Sequence, residues 1–114
     1  MNCFNGEKYL RESLDSIFCQ TYEDWEIIFW DNASTDGTQQ IATSYDSRLK
    51  YFRAEVNTPL GSARNMALEK ATATYVAFLD SDDVYLPCAL QRQVGLMESC
   101  DYGLVYAGMI IIDE

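Results

Sequence analysis

Histidine is absent from this chain. Its absence removes Ser-His-Asp and Cys-His nucleophilic catalysis and leaves carboxylates, Lys, Tyr or Cys for any acid-base step. The four cysteines, Cys3, Cys19, Cys88 and Cys100, include no CxxC pair, and without histidine they complete no zinc set. Cys19, in an amphipathic stretch, and Cys88, near a helix start, are expected to be free thiols buried as small hydrophobes, the usual state of cysteine in a reducing compartment. Basic residues are scarce as well: 8 stand against 18 acidic ones, for a formal net charge of −10. A surplus of that size repels phosphate backbones and anionic headgroups, which argues against nucleic acid and membrane surfaces as partners. No run reaches the roughly 18 apolar residues that span a bilayer, and no basic segment followed by an apolar one opens the chain. The expected location is cytoplasmic, at the cytoplasmic face of a membrane in a longer parent protein.

What is present is core-forming material. With 114 residues, 48% of them apolar and 13% aromatic, one globular domain is expected over 1–114, too short to divide into two cores. Residues 7–21 carry Leu10, Leu14, Ile17 and Phe18 at helical spacing with charged residues between them, which predicts an amphipathic helix. The β-branched and aromatic run 25–30 predicts a buried strand. A helix is expected after it, capped by Ser34 and Thr35 with Asp36 in its first turn and Ile41 and Tyr45 inward. Residues 48–53 alternate as a short strand, and Pro59 and Gly61 introduce a helix of about a dozen residues rich in good helix formers. The run 75–79 predicts a second buried strand ending in Asp80-Ser81-Asp82-Asp83. Pro87 then opens a helix with Leu86, Leu90, Val94 and Met97 on one face, and a last strand is expected over 104–112. Alternating helices and strands give an α/β class, a mostly parallel sheet covered on both faces. Residues 1–5 read as a turn where such a pattern would begin with a strand, and 110–114 as a strand with nothing behind it. Both ends look cut, and an open sheet edge of that kind would invite pairing into a homodimer.

In open α/β sheets, ligands settle beyond the carboxyl ends of the strands. Asp31 ends one predicted strand, and Asp80, Asp82 and Asp83 follow another, so carboxylates from two strands face one crevice. A divalent cation relieves their repulsion, because carboxylate oxygens suit hard Mg²⁺ and Mn²⁺ and leave positions for phosphate oxygens. Simpler uses exist for each group. The acidic turn can charge the first turn of the next helix, worth a few tenths of a kcal/mol per carboxylate, and Asp31 can cap the helix after it. Arg64 opposes the dipole in the first turn of its helix, so a ligand or a carboxylate partner is expected for it, the plain alternative being a salt bridge with Asp31 or an exposed side chain.

The strings Asn5-Gly6-Glu7-Lys8-Tyr9-Leu10, Trp25-Glu26-Ile27-Ile28 and Asp31-Asn32-Ala33-Ser34-Thr35-Asp36-Gly37-Thr38, followed by Gly61-Ser62-Ala63-Arg64-Asn65 and Phe78-Leu79-Asp80-Ser81-Asp82-Asp83, resemble the start of family 2 glycosyltransferases. The resemblance covers nearly the whole chain. It implies the GT-A fold, a Rossmann-like three-layer α/β/α sandwich whose first half binds a nucleoside diphosphate sugar, UDP-sugars being favoured. It places Phe4 and Asn5 beside the nucleoside, Asp31 as acceptor from the base, Arg64 near the base, Asp80 near the ribose, and Asp82, with Asp83 as the weaker candidate, on an Mg²⁺ or Mn²⁺ ion. The implied reaction is inverting transfer to a hydroxyl of a glycan or lipid-linked acceptor. Two departures stand out. Asn32 occupies a position where a second aspartate is common, and the catalytic base of the family is expected beyond residue 114, so Glu114 is given no role. Two other classes remain open at this level. One is a catalytically incomplete module that holds nucleotide and metal. The other is a haloacid dehalogenase-type phosphatase, although in such enzymes the Asp-x-Asp strand opens the domain and here it follows two strand-helix units.

Overall fold

The apolar run that stops at Asp31 becomes the central strand of a parallel sheet in the computed structural model, which describes residues 1–112; Asp113 and Glu114, the end of the expected domain, lie outside the described residues. The strands are β1 (Asn2–Cys3), β2 (Ile27–Asp31) and β3 (Leu49–Arg53), in the order β1-β2-β3 and parallel throughout. Asp31 pairs in register with Cys3 on one side and Arg53 on the other. Three carboxyl ends therefore finish side by side.

Side chains alternate across a strand, and the two sheet faces are covered by different helices. On one face Ile27 and Phe29 of β2 and Leu49 of β3 pack with Cys3, with Leu10, Leu14 and Ile17 of α1 (Leu10–Phe18) and with Ala42 of α2 (Thr38–Ala42). Leu10, Leu14 and Ile17 keep the spacing predicted for them, and burying each such side chain contributes about 1.5–3 kcal/mol. Ile41 and Tyr45 rest against the same cluster, as expected. On the other face lies α3 (Leu60–Leu68), which buries the small residues Ala63 and Ala67 and so approaches closely. Lys70, just past its end, sits over the Phe52 ring at 4.5–6 Å range for such contacts, at 5.7 Å. The α/β layering predicted from the sequence is thus realised. No helix among the described residues is long and apolar enough to cross a membrane.

Several expectations need correcting. Residues 75–79 and 104–112 form no strand among the described residues. Phe78 is 59% exposed and Ile110 80%. A strand exists only through its ladder partners, and β1, two residues long, pairs with β2 and with no second strand. The opening residues, read as a turn, supply that short strand. The helix after β2 starts late, at Thr38, and neither Ser34 nor Thr35 caps it: the Ser34 hydroxyl accepts from the Asn5 amide, and the Thr35 amide donates to the Asn5 side chain. Of the predicted face, Leu90, Val94 and Met97 in α4 (Ala89–Ser99) are only half-buried, Leu86 lies outside the helix and is 69% exposed, and no residue of the helix is buried. All four cysteines are free, but only Cys3 is buried; Cys19 and Cys100 are exposed and Cys88 is intermediate.

Candidate functional site

Two loops leave the strand ends and are tied to each other. Asn5 and Ala33 adopt left-handed backbone, with φ of 53° and 67°, a region that Asn tolerates and that strains Ala. The Asn5 amide donates to Ser34 Oγ at 3.0 Å, and Asn5 Oδ1 accepts from the Thr35 amide at 2.8 Å. Next to it the Gly6 amide donates to Thr38 Oγ1 at 2.9 Å. Glycine is required there by space, since a Cβ on Gly6 would lie 2.3 Å from Cys3 Sγ. The Glu7 amide donates to Asp36 and the Gly37 amide to the Glu7 carboxylate. Asn5 is thereby engaged in holding the loops, while Phe4 beside it is 52% exposed.

Between these loops and α3 opens a cleft of about 340 Å³, lined by Asn2, Cys3, Phe4, Asn32, Asn57, Thr58, Pro59, Leu60 and Ala63. That volume is within the range of small-molecule sites. Of the residues singled out from the sequence as nucleotide-binding, Phe4 lines it. Asn32, noted in the sequence only as a departure, lines it too and is 7% exposed.

Asp31, the residue before Asn32, does not line this cleft. Its carboxylate is fully buried. Oδ1 accepts from the Ser34 amide at 2.7 Å, and Oδ2 accepts from the Tyr51 hydroxyl and from Arg53 Nη1 at 3.1 Å. The Ser34 contact is the local turn that Asp favours; the other two come from β3, in register beside it. Burial first, and then the hydrogen bond to Asp31, push the Tyr51 phenol above its usual range. Arg53 also donates to the Ser34 carbonyl at 2.7 Å. Sequence reading missed Tyr51 and Arg53. Only the strand register, which puts Arg53 opposite Asp31, reveals them.

The acidic turn reaches the same edge without a strand beneath it. Ser13, Ser16 and Gln20 lie along one side of α1 and its exit, at spacings of three and four. Ser13 Oγ donates to the Asp80 carbonyl at 3.2 Å, and Ser16 Oγ accepts from the Tyr85 amide at 3.1 Å. Gln20 donates to the Leu86 carbonyl and accepts from the Leu90 amide. The sequence signal was present as small polar residues on the inner side of an amphipathic helix. Arg64 of α3 pairs with Asp80 at 2.7 Å; Asp31, the carboxylate the sequence suggested for it, pairs instead with Arg53. Asp82 and Asp83 are exposed, and the Asp83 amide closes the turn on the Asp80 carbonyl at 3.2 Å. Among the described residues no three His, Cys, Asp or Glu side chains gather closely enough to hold a metal by themselves. Two exposed carboxylates suit an Mg²⁺-like ion that takes most of its ligands from water and phosphate. The phosphatase alternative loses support, since its nucleophilic aspartate would need a strand end, and Asp80 follows none.

The family model described as glycosyl transferase family 2 matches residues 1–114. Among curated relatives, the glycosyltransferase EpsE of Bacillus subtilis is 40% identical over 119 residues, covering 100% of this chain and 43% of that protein. UDP-Glc:alpha-D-GlcNAc-diphosphoundecaprenol beta-1,3-glucosyltransferase WfgD of Escherichia coli is 33% identical, covering 100% of this chain and 46% of its own. Residues 1–349 of S. aureus TarS, solved in complex with UDP and with UDP-GlcNAc, superpose with a TM-score of 0.82 at 33% identity, covering 86% of this chain and 30% of that one. The chain spans less than half the length of each of these proteins.

Proposed function

The chain belongs to glycosyl transferase family 2, and on that premise we propose that it forms the donor-binding part of an enzyme that transfers a sugar from a nucleoside diphosphate sugar, UDP-linked, to a hydroxyl of a glycan or lipid-linked acceptor. The observation that carries this reading is the meeting of an apolar-walled cleft and an acidic turn at the strand ends, joined by the Arg64–Asp80 ion pair at 2.7 Å. UDP in the TarS structures favours uridine in the cleft.

In this reading Phe4 and the cleft wall take the base, Arg64 orients Asp80 toward the ribose, and Asn5 keeps the loop carrying Phe4 in place through Ser34 and Thr35. Asp31 acts from beneath, by holding Ser34, Tyr51 and Arg53 rather than by accepting from the base. Asp82, with Asp83, would hold Mg²⁺ or Mn²⁺, which when bound draws charge off the leaving diphosphate. No residue of this chain is proposed as the base that deprotonates the acceptor, nor as part of the acceptor site.

Calorimetry with UDP and Mn²⁺ tests the reading. Binding is expected with Mn²⁺ and not in its absence, and Asp82→Asn should weaken it roughly 10–100-fold, the range for disturbing a metal site. No binding to any nucleoside diphosphate in the presence of Mn²⁺, or an unchanged affinity in Asp82→Asn, would sink it.

A further inference from the structure

Resting on the donor cleft proposed above, we infer that Asn32 is a positioning residue whose carboxamide clamps the loop between β3 and α3 and so shapes the cleft wall. Its Nδ2 donates to the Thr58 carbonyl at 2.7 Å, and its Oδ1 accepts from the Thr58 amide at 3.1 Å and from Thr58 Oγ1 at 3.0 Å. A backbone N–H only donates and a backbone carbonyl only accepts, so Thr58 dictates which end of the amide points where. The main chain of Asn32 extends the clamp. Its N–H donates to the Cys3 carbonyl at 2.8 Å, and its carbonyl accepts from the Asn57 side chain at 3.1 Å. One residue thus ties β1, β2 and the loop that enters α3 at Pro59, the helix that carries Arg64.

Aspartate is common at this position in the family, but in this chain a carboxylate would not keep both contacts to Thr58. Aspartate offers acceptors only, so one oxygen could still receive the Thr58 amide, but the other would face the Thr58 carbonyl where the amide now donates. A charge would then be held, with two acceptors opposed, at a residue only 7% exposed. Such an aspartate binds its proton more tightly than usual, and once protonated it can donate to the Thr58 carbonyl and restore the two-point contact. Glutamine-like flexibility is not needed and alanine would lose both ends.

Two readouts on the full chain test the clamp. In the ligand-free wild-type protein, the Thr58 amide should resist hydrogen exchange; exchange as fast as that of exposed loop amides would overturn the inference, whatever the variants do. In Asn32→Asp, UDP affinity with Mg²⁺ should fall by about tenfold at neutral pH, the size expected for an opposed buried hydrogen-bond pair. The ratio to wild type should close as the pH is lowered and the new carboxyl takes up a proton. The titratable and charged groups on the bordering elements are the Met1 amino group before β1, whose burial lowers its pKa to about 6, Cys3 on β1, Asp31 on β2, Lys50, Tyr51 and Arg53 on β3, Glu55 in the loop, and Arg64 with its partner Asp80. They are common to both proteins and cancel in that ratio. Asn32→Ala should show a deficit that does not change with pH. Equal affinity of Asn32→Asp and wild type at neutral pH, or a deficit in Asn32→Asp that pH leaves untouched, would overturn the clamp. Failure of the wild-type protein to bind UDP would instead count against the donor reading, and Thr58 exchange in wild type and in Asn32→Asp would still decide the clamp.

Discussion

A buried carboxylate needs donors, and at Asp31 they come from three places: its own turn, Tyr51 and Arg53. Hydrogen bonds to a charged group contribute about 1.5–3 kcal/mol each. Tyr51→Phe should therefore lower the unfolding free energy by that amount, read from urea denaturation. A Tyr51→Phe protein as stable as the original would remove the hydroxyl from the network. The sequence marked Asp31 as a residue of interest but offered two uses for it, a cap or a ligand. Neither its depth nor its partners were legible, because both depend on which residue of a second strand lies opposite, and register is a tertiary fact. Arg64 shows the converse. Its misplacement against the helix dipole was visible in the sequence and pointed to a ligand or a carboxylate partner, but the carboxylate is Asp80 and not the Asp31 that spacing suggested.

Elements read from periodicity fared unevenly for a physical reason. A helix closes its own hydrogen bonds, so Leu10, Leu14 and Ile17 located α1 from spacing alone. Strands depend on neighbours. The runs 25–30 and 48–53 found each other and became β2 and β3, whereas the apolar runs 75–79 and 104–112 have no ladder among the described residues. Where a ladder is lacking, side-chain bonds do its work, as with Ser13, Ser16 and Gln20 under the acidic turn. Glu26 performs a similar task for the segment after α3. Its carboxylate accepts from Lys50 on β3 and from the amide and hydroxyl of Thr72. Lys50 first, and then the Thr72 amide, lower its pKa to about 2. The ionised form is the one held in the folded protein, so its contribution is complete above the ordinary carboxylate range and is lost as the pH falls from about 4.5 toward 2. Urea midpoints measured through that window should drop for the original protein and drop less for Glu26→Gln. Parallel curves for the two would show that Glu26 does not couple there.

At the scale of the whole molecule, the class and family of the fold were legible because both rest on local strings in a fixed order, while the shape of the site was not. The cleft is made by chain segments from residues 2–4, 32 and 57–63, distant in sequence and brought together by parallel pairing and by the Asn32–Thr58 contact. Its position outside the carboxyl ends of the strands follows the general rule for open α/β sheets. A second depression, of about 280 Å³, is lined by Trp30, Arg53, Val56 and Met66 and shares only Thr58 with the cleft, and it offers a built-in comparison. The measurement that tests the account most directly is a chemical-shift map of the isotope-labelled chain as UDP is added with Mg²⁺. The amides of Phe4, Asn32 and Leu60, together with those of Asp80 to Asp83, should move in step with one saturating curve, while the Trp30 indole and Met66 stay in place. Shifts centred on Trp30, Val56 and Met66, or a spectrum that UDP leaves unchanged, would contradict a donor site at the strand ends.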